Sequence, residues 1–202
     1  MADADTVYED VCHELASRHH VTCVGRLGFE NTYALAMRRA RAEALGVRTI
    51  DDLAKLGRVQ LGGDYEFFAR PEWTRVQHEY GLDDVATRSF DVSLLYDAVA
   101  HDEVDVITAF SSDGRIAAYD LVVLEDVRHA LPPYDAVLLV GRRAAKHPGL
   151  EDALRPLVGT VSVELMRGAN QRVDVEHQSR QVAGAWLWEQ LQEKERSDEV
   201  VE

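Results

Sequence analysis

The sequence predicts an α/β protein with a mostly parallel sheet, organised as two lobes between which the chain crosses. Three observations predict it. Runs rich in β-branched residues alternate with helical patterns. No internal repeat or low-complexity linker interrupts them. The final third, from Leu150, is helical with a single strand in front of it, an asymmetry expected of a chain that leaves one lobe and returns.

Residues 4–18 read as a helix, because Val7, Val11 and Leu15 recur every four positions. Val21 to Leu27 is β-rich, Gly25, Gly28 and Asn31 punctuate the chain around its end, and Thr32 to Met37 is a second apolar run. Arg38 to Leu45 is helical and stops at Gly46. Thr49 opens a short helix as N-cap, with Asp52 at its third position. Val59-Gln-Leu61 reads as a strand that ends in a glycine-permitted turn at Gly62-Gly63-Asp64.

Pro71 to Tyr80 is a helix with proline in its first turn. A helix over Ser93 to Ala100 precedes a strand over Val104 to Phe110, a turn at Ser111-Ser-Asp-Gly114 and a long β run from Ala118 to Leu124. Asp135 to Val140 is the last strand. Helices come next over Leu150–Val158, Val163–Val173 and Val182–Lys194, and the charged tail from Glu193 to Glu202 is expected to fray.

Composition narrows the function. The 202 residues carry a formal net charge of −14, and 46% of them are hydrophobic. That surface repels phosphates, and its densest basic group, Arg38, Arg39 and Arg41, is followed at once by Glu43, so nucleic acid is excluded as a partner. No apolar run reaches the roughly 18 residues of a membrane span, and the start lacks the order of a secretory signal. Taken literally, the chain is cytoplasmic. Cys12 and Cys23 allow one bridge, which spacing cannot establish. The run Cys12-His13 to His19-His20 and Cys23 matches no compact zinc pattern and reads as an exposed helix–strand junction.

No glycine-rich phosphate loop, nucleophile elbow or nucleophile–base constellation is present, so binding rather than catalysis is expected, with no cofactor. The chemistry-bearing candidates are aromatics and one arginine at strand ends. Tyr33 follows a turn, Phe110 closes a strand, Tyr134 is held behind Pro132-Pro133, and Arg70 stands just before a helix. Ligands of open α/β sheets gather at such ends.

Five segments carry a resemblance. They are Leu27-Gly-Phe-Glu-Asn-Thr-Tyr-Ala-Leu35, Leu61-Gly-Gly-Asp-Tyr-Glu-Phe-Phe-Ala-Arg70, Glu103-Val-Asp-Val-Ile107, Ala109-Phe-Ser-Ser-Asp-Gly-Arg-Ile116 and Pro132-Pro-Tyr-Asp135. In order and spacing, to about residue 190, the chain resembles the substrate-binding proteins of ABC importers for glycine betaine, choline and carnitine.

The resemblance implies a type II periplasmic-binding-protein-like fold and a cage of aromatic rings for a quaternary ammonium head. Tyr33, Phe110 and Tyr134 match the cage and Arg70 the carboxylate clamp, while Asn31, Thr32 and Asp113 lie beside them as supporting contacts. Phe110 stands where many relatives have tyrosine, which keeps the π-face and loses a hydroxyl.

It also implies permease and ATPase partners and an extracytoplasmic setting. Residues 30–132 match a complete lobe two, whereas 1–29 and 133–202 match an incomplete lobe one that lacks the family's amino-terminal segment. Three readings stay open: a fragment, a chain that pairs with itself or a partner to cover the exposed surface, or a half-receptor with weak or no binding.

Overall fold

The computed structural model describes residues 3–83 and 85–199. The first elements are α1 (Ala4–Glu14), β1 (Thr22–Glu30), β2 (Tyr33–Arg38), α2 (Arg39–Leu45), α3 (Ile50–Ala54) and β3 (Gln60–Asp64). Then come α4 (Pro71–Tyr80), β4 (Ala86–Phe90), α5 (Val92–Ala100), β5 (Val106–Phe110), α6 (Arg115–Ala118) and β6 (Leu121–Val123). The chain ends with β7 (Asp135–Val140), α7 (Leu150–Leu154), α8 (Val163–Asp174) and α9 (Arg180–Glu199). These elements form two compact units, one of residues 32–132 and one of residues 1–31 with 133–202.

Within Thr32–Pro132 a five-stranded sheet has the order β4-β3-β5-β2-β6. β3 runs parallel to β4 and β5, whereas β2 runs antiparallel to β5 and β6. The expected mostly parallel sheet is therefore corrected to a mixed one. β2 enters the unit directly from the crossover, without a helix to reverse it, and so runs antiparallel to β5.

Strand β2, between β5 and β6, buries both faces, and its period-two alternation sorts its side chains. Tyr33, Leu35 and Met37 join a cluster with Leu61, Phe67, Trp73, Val76 and Val106, while Ala36 joins Leu95, Tyr96, Val99 and Ile107 on the opposite face. Each fully buried side chain of this size contributes about 1.5–3 kcal/mol, and these two clusters are the bulk of the buried core.

Local chemistry places the helices. The Thr49 side chain accepts the Asp52 N–H while Asp52 accepts from Thr49, a reciprocal capping box. Gly46 ends α2 in the left-handed region at φ 67°. Pro71 opens α4.

Two local expectations are corrected, and one strand went unread. Gly62 and Gly63 lie inside β3, not in a turn: a Cβ at Gly63 would sit 2.7 Å from the Phe68 ring, so glycine admits close packing there. The run from Ala118 to Leu124 is strand only over β6, because α6 ends at Ala118 and Asp120 turns the chain at φ 47°. β4 arises from a polar stretch with no strand signal, since as an edge strand it keeps Ala86 to Ser89 exposed and buries only Phe90.

The other unit is built on the antiparallel pair β1–β7, registered from Thr22 opposite Val140 to Glu30 opposite Asp135 with two irregularities. Gly28 adopts φ 112°, and a Cβ there would meet the backbone of Gly159 and Val161 at 3.0 Å. Cys12 and Cys23 form a disulfide that ties α1 to β1, which resolves the open reading of this pair; His13, His19 and His20 are exposed beside it. α8 packs on α9 where Gly168 admits the Trp186 ring, over which Arg172 lies at 3.6 Å. α9 continues through Glu199, past the expected start of the frayed tail at Glu193, and residues 200–202 lie outside the described residues.

Candidate functional site

Antiparallel pairing sets Tyr33, the first residue of β2, directly opposite Phe110, the last of β5. Their rings stack with centroids 4.7 Å apart and planes 29° from parallel. The two rings are not equivalent: Tyr33 is 8% exposed and Phe110 is 43% exposed. Tyr33 leans inward on the buried Phe67 at 4.9 Å, and Phe67 in turn meets Phe68 and Trp73, both at 5.9 Å. An aromatic floor thus supports one solvent-facing ring. Burial pushes the Tyr33 hydroxyl above its ordinary pKa, and the Asp64 carboxylate adds to this while Arg70 opposes it.

Arg70 is the N-cap residue of α4 and caps no backbone group with its side chain. Its guanidinium lies 5.5 Å from the Tyr33 ring centre. It is also engaged by two carboxylates: Nη1 donates to Glu66 and Nε reaches Glu72 at 3.4 Å. The bond to Glu66 holds the guanidinium above its ordinary pKa against a lowering by burial. The Asp64 carboxylate accepts the backbone N–H groups of Glu66 and Phe67, both at 2.8 Å, and so fixes the turn that carries Glu66.

The remaining candidates fall in two places. The Thr32 hydroxyl donates to the Pro132 carbonyl at 2.9 Å. The Thr32 N–H donates to the Ser111 hydroxyl and the Ser111 N–H to the Thr32 carbonyl, closing the mouth of the β2–β5 pair. Asp113, with a side chain only 10% exposed, follows the turn in which its N–H meets the Phe110 carbonyl. Burial pushes its carboxyl up, but bonds from the Arg115 side chain and backbone, with Tyr96, outweigh this and hold it below the ordinary range.

Asn31 and Tyr134 belong to the other unit, where the Asn31 N–H donates to the Tyr134 carbonyl at 3.0 Å and the Tyr134 ring is 45% exposed. The structure brings Tyr33, Phe110 and Arg70 together, with Thr32 and Asp113 hydrogen-bonded beside the Tyr33–Phe110 pair.

Glu66 and Glu72, the partners of Arg70, are absent from the candidates read in the sequence. The four-residue spacing from Glu66 to Arg70 is the signal that points to the first. Among the described residues no group of three or more His, Cys, Asp and Glu side chains converges for a metal ion. A hollow of about 190 Å³ lined by Leu157, Trp188 and Leu191 lies in the other unit.

Comparison with known proteins supplies a lineage. Residues 4–189 match the family described as the substrate binding domain of ABC-type glycine betaine transport system. The chain is 32% identical over 173 residues to the glycine-betaine-binding protein of Pseudomonas aeruginosa, covering 78% of this chain and 55% of that protein. It is 30% identical over 161 residues to the carnitine transport binding protein OpuCC of Listeria monocytogenes, covering 78% of this chain and 52% of that protein. The chain therefore spans about half the length of these relatives. A crystal structure described as a glycine betaine/carnitine/choline ABC transporter superposes with a TM-score of 0.85 at 30% identity, over 93% of this chain and 70% of that one. The fold is of the type II periplasmic-binding-protein kind.

Proposed function

The chain belongs to the family of substrate-binding domains of ABC-type glycine betaine transport systems, and from that premise we propose that it binds a quaternary ammonium osmolyte of the glycine betaine, choline or carnitine kind. The family recognises substrates rather than transforming them. One observation carries the reading: an exposed phenyl ring, Phe110, stacked on a buried tyrosine beside a guanidinium.

A trimethylammonium group donates no hydrogen bonds, so its charge is met best by the negative faces of π-systems, each worth about 0.5–2 kcal/mol. Several such faces and one guanidinium–carboxylate contact reach the roughly −8 kcal/mol of a micromolar complex. Phe110 and Tyr33 serve as cage walls and Arg70 as the clamp for a ligand carboxylate. Tyr134 and Asn31 serve as further ligand contacts, while Thr32 and Asp113 hold the backbone of the cage.

Calorimetric titration with glycine betaine, carnitine and choline tests the assignment. Arg70→Ala is expected to weaken the two carboxylated ligands at least about five-fold more than choline, the scale of a charge-assisted contact. Equal losses would remove Arg70 from the role of clamp. A Tyr134→Ala change that leaves affinity intact would remove that ring from the cage.

The partners in this reading are the permease and ATPase of an importer, and the setting is extracytoplasmic. The Cys12–Cys23 bond supports that setting, since disulfides persist in oxidising compartments. Among the described residues no helix is long and apolar enough to cross a membrane.

A second reading is favoured by the distribution of the core. Both apolar clusters lie within Thr32–Pro132, whereas the other unit rests on a two-stranded sheet. Two strands alone are marginal in water. In this reading residues 32–132 are a whole lobe and the remainder part of one, which a second copy or another polypeptide completes. Size-exclusion chromatography separates the two readings. A monomer whose melting temperature rises with an osmolyte supports the receptor, and an oligomer indifferent to every osmolyte supports the interaction protein.

A further inference from the structure

We propose that Glu66 sets the ligand preference of this site: as the internal counter-ion of Arg70 it disfavours ligands that carry a carboxylate over ligands that are only cationic. The inference rests on reading the Tyr33–Phe110–Arg70 surface as the quaternary ammonium site. Arg70 is not a vacant clamp. Glu66 holds its Nη1, Glu72 meets its Nε at 3.4 Å, and the Tyr33 ring lies under it at 5.5 Å. A ligand carboxylate needs the same guanidinium edge and must displace one of these groups.

The two carboxylates differ in how readily they yield. The Glu72 side chain is 12% exposed and that of Glu66 is 71% exposed, so Glu66 rotates into water at little cost whereas Glu72 stays in place. The Glu66 backbone does not move with it, because Asp64 fixes the turn through the N–H groups of residues 66 and 67. Glu66 is thus a built-in competitor on a fixed mount, four residues from the group it neutralises.

The local charge points the same way. The Asp64, Glu66 and Glu72 carboxylates all push the Tyr33 hydroxyl up while the Arg70 guanidinium opposes them, so the field at this ring leans negative. Such a field attracts a permanent cation and repels a carboxylate. Choline meets only the attraction. Glycine betaine meets both and must also break the Glu66 bond.

The test titrates choline and glycine betaine into the full chain and into Glu66→Gln. The variant removes the competitor and one negative charge at an exposed position, and an unchanged melting temperature verifies its fold. The affinity ratio of glycine betaine to choline is expected to rise roughly two- to five-fold, the range of a partly exposed ion pair. In Glu66→Gln with Arg70→Ala that gain disappears. Binding of both ligands with an unchanged ratio overturns the role of Glu66 and leaves the site standing. Binding of neither ligand to either form overturns the site itself, and this inference with it.

Discussion

Asp113 shows how a largely covered charge holds the turn behind an exposed ring. Its carboxylate accepts three bonds from Arg115, at 2.9, 3.1 and 2.7 Å, just past the turn that presents Phe110. Its folded-state pKa lies below the unfolded value of about 3.9, so its stabilisation is present above that pH and fades as pH falls further. Asp113→Asn is expected to cost about 1.5–3 kcal/mol at neutral pH, with the gap to the parent protein shrinking below about pH 4 in melts followed across pH. A gap that stays constant into acid would mean that the charge is not what stabilises the turn. The residue types of this site were legible from sequence, because Tyr33, Arg70 and Phe110 stand at element ends. Their unequal roles were not. Period-two patterning says that Tyr33 and Phe110 can meet, but only the register, with Tyr33 opposite Phe110, decides which ring is floor and which is exposed. The engagement of Arg70 by Glu66 left only the four-residue spacing as a signal, a weak one because that spacing is ordinary on any acidic surface.

Among the elements, β3 carries the sharpest constraint. Gly63 faces the Phe68 ring at a distance that leaves no room for a methyl group, and a Cβ at Gly62 would meet Leu95 and Val104 at 3.1 Å. Gly63→Ala should force Phe68 from the aromatic floor at a cost of about 1–3 kcal/mol, read as a lower denaturant midpoint with an unchanged slope. Full stability in that variant would show that the Phe68 ring swings aside freely. Elements with end signals were read accurately: Thr49 caps α3, Pro71 opens α4 and Gly46 stops α2. Two others were missed or misread. β4 buries one residue of five and so shows no alternation. The glycines of β3 look like a turn because the reason for them lies on neighbouring elements.

At the scale of the whole molecule, the mixed sheet of Thr32–Pro132 was not legible in the sequence. Strand direction depends on how β2 enters the unit, which no local pattern records. The core is concentrated in Thr32–Pro132, and that unit carries Phe110, Tyr33 and Arg70. A net charge of −14 over the chain suits a cationic ligand and sets a background against which cation–π attraction must be separated from long-range field. The most direct measurement is a calorimetric comparison of choline with its uncharged isostere, in which a tert-butyl group replaces trimethylammonium, on the parent chain and on Phe110→Ala. The account predicts that choline binds, that the isostere binds far more weakly, and that Phe110→Ala costs choline about 0.5–2 kcal/mol, roughly two- to thirty-fold, with little effect on the isostere. Equal binding of the two molecules, or a Phe110→Ala chain that binds choline as the parent does, would contradict it.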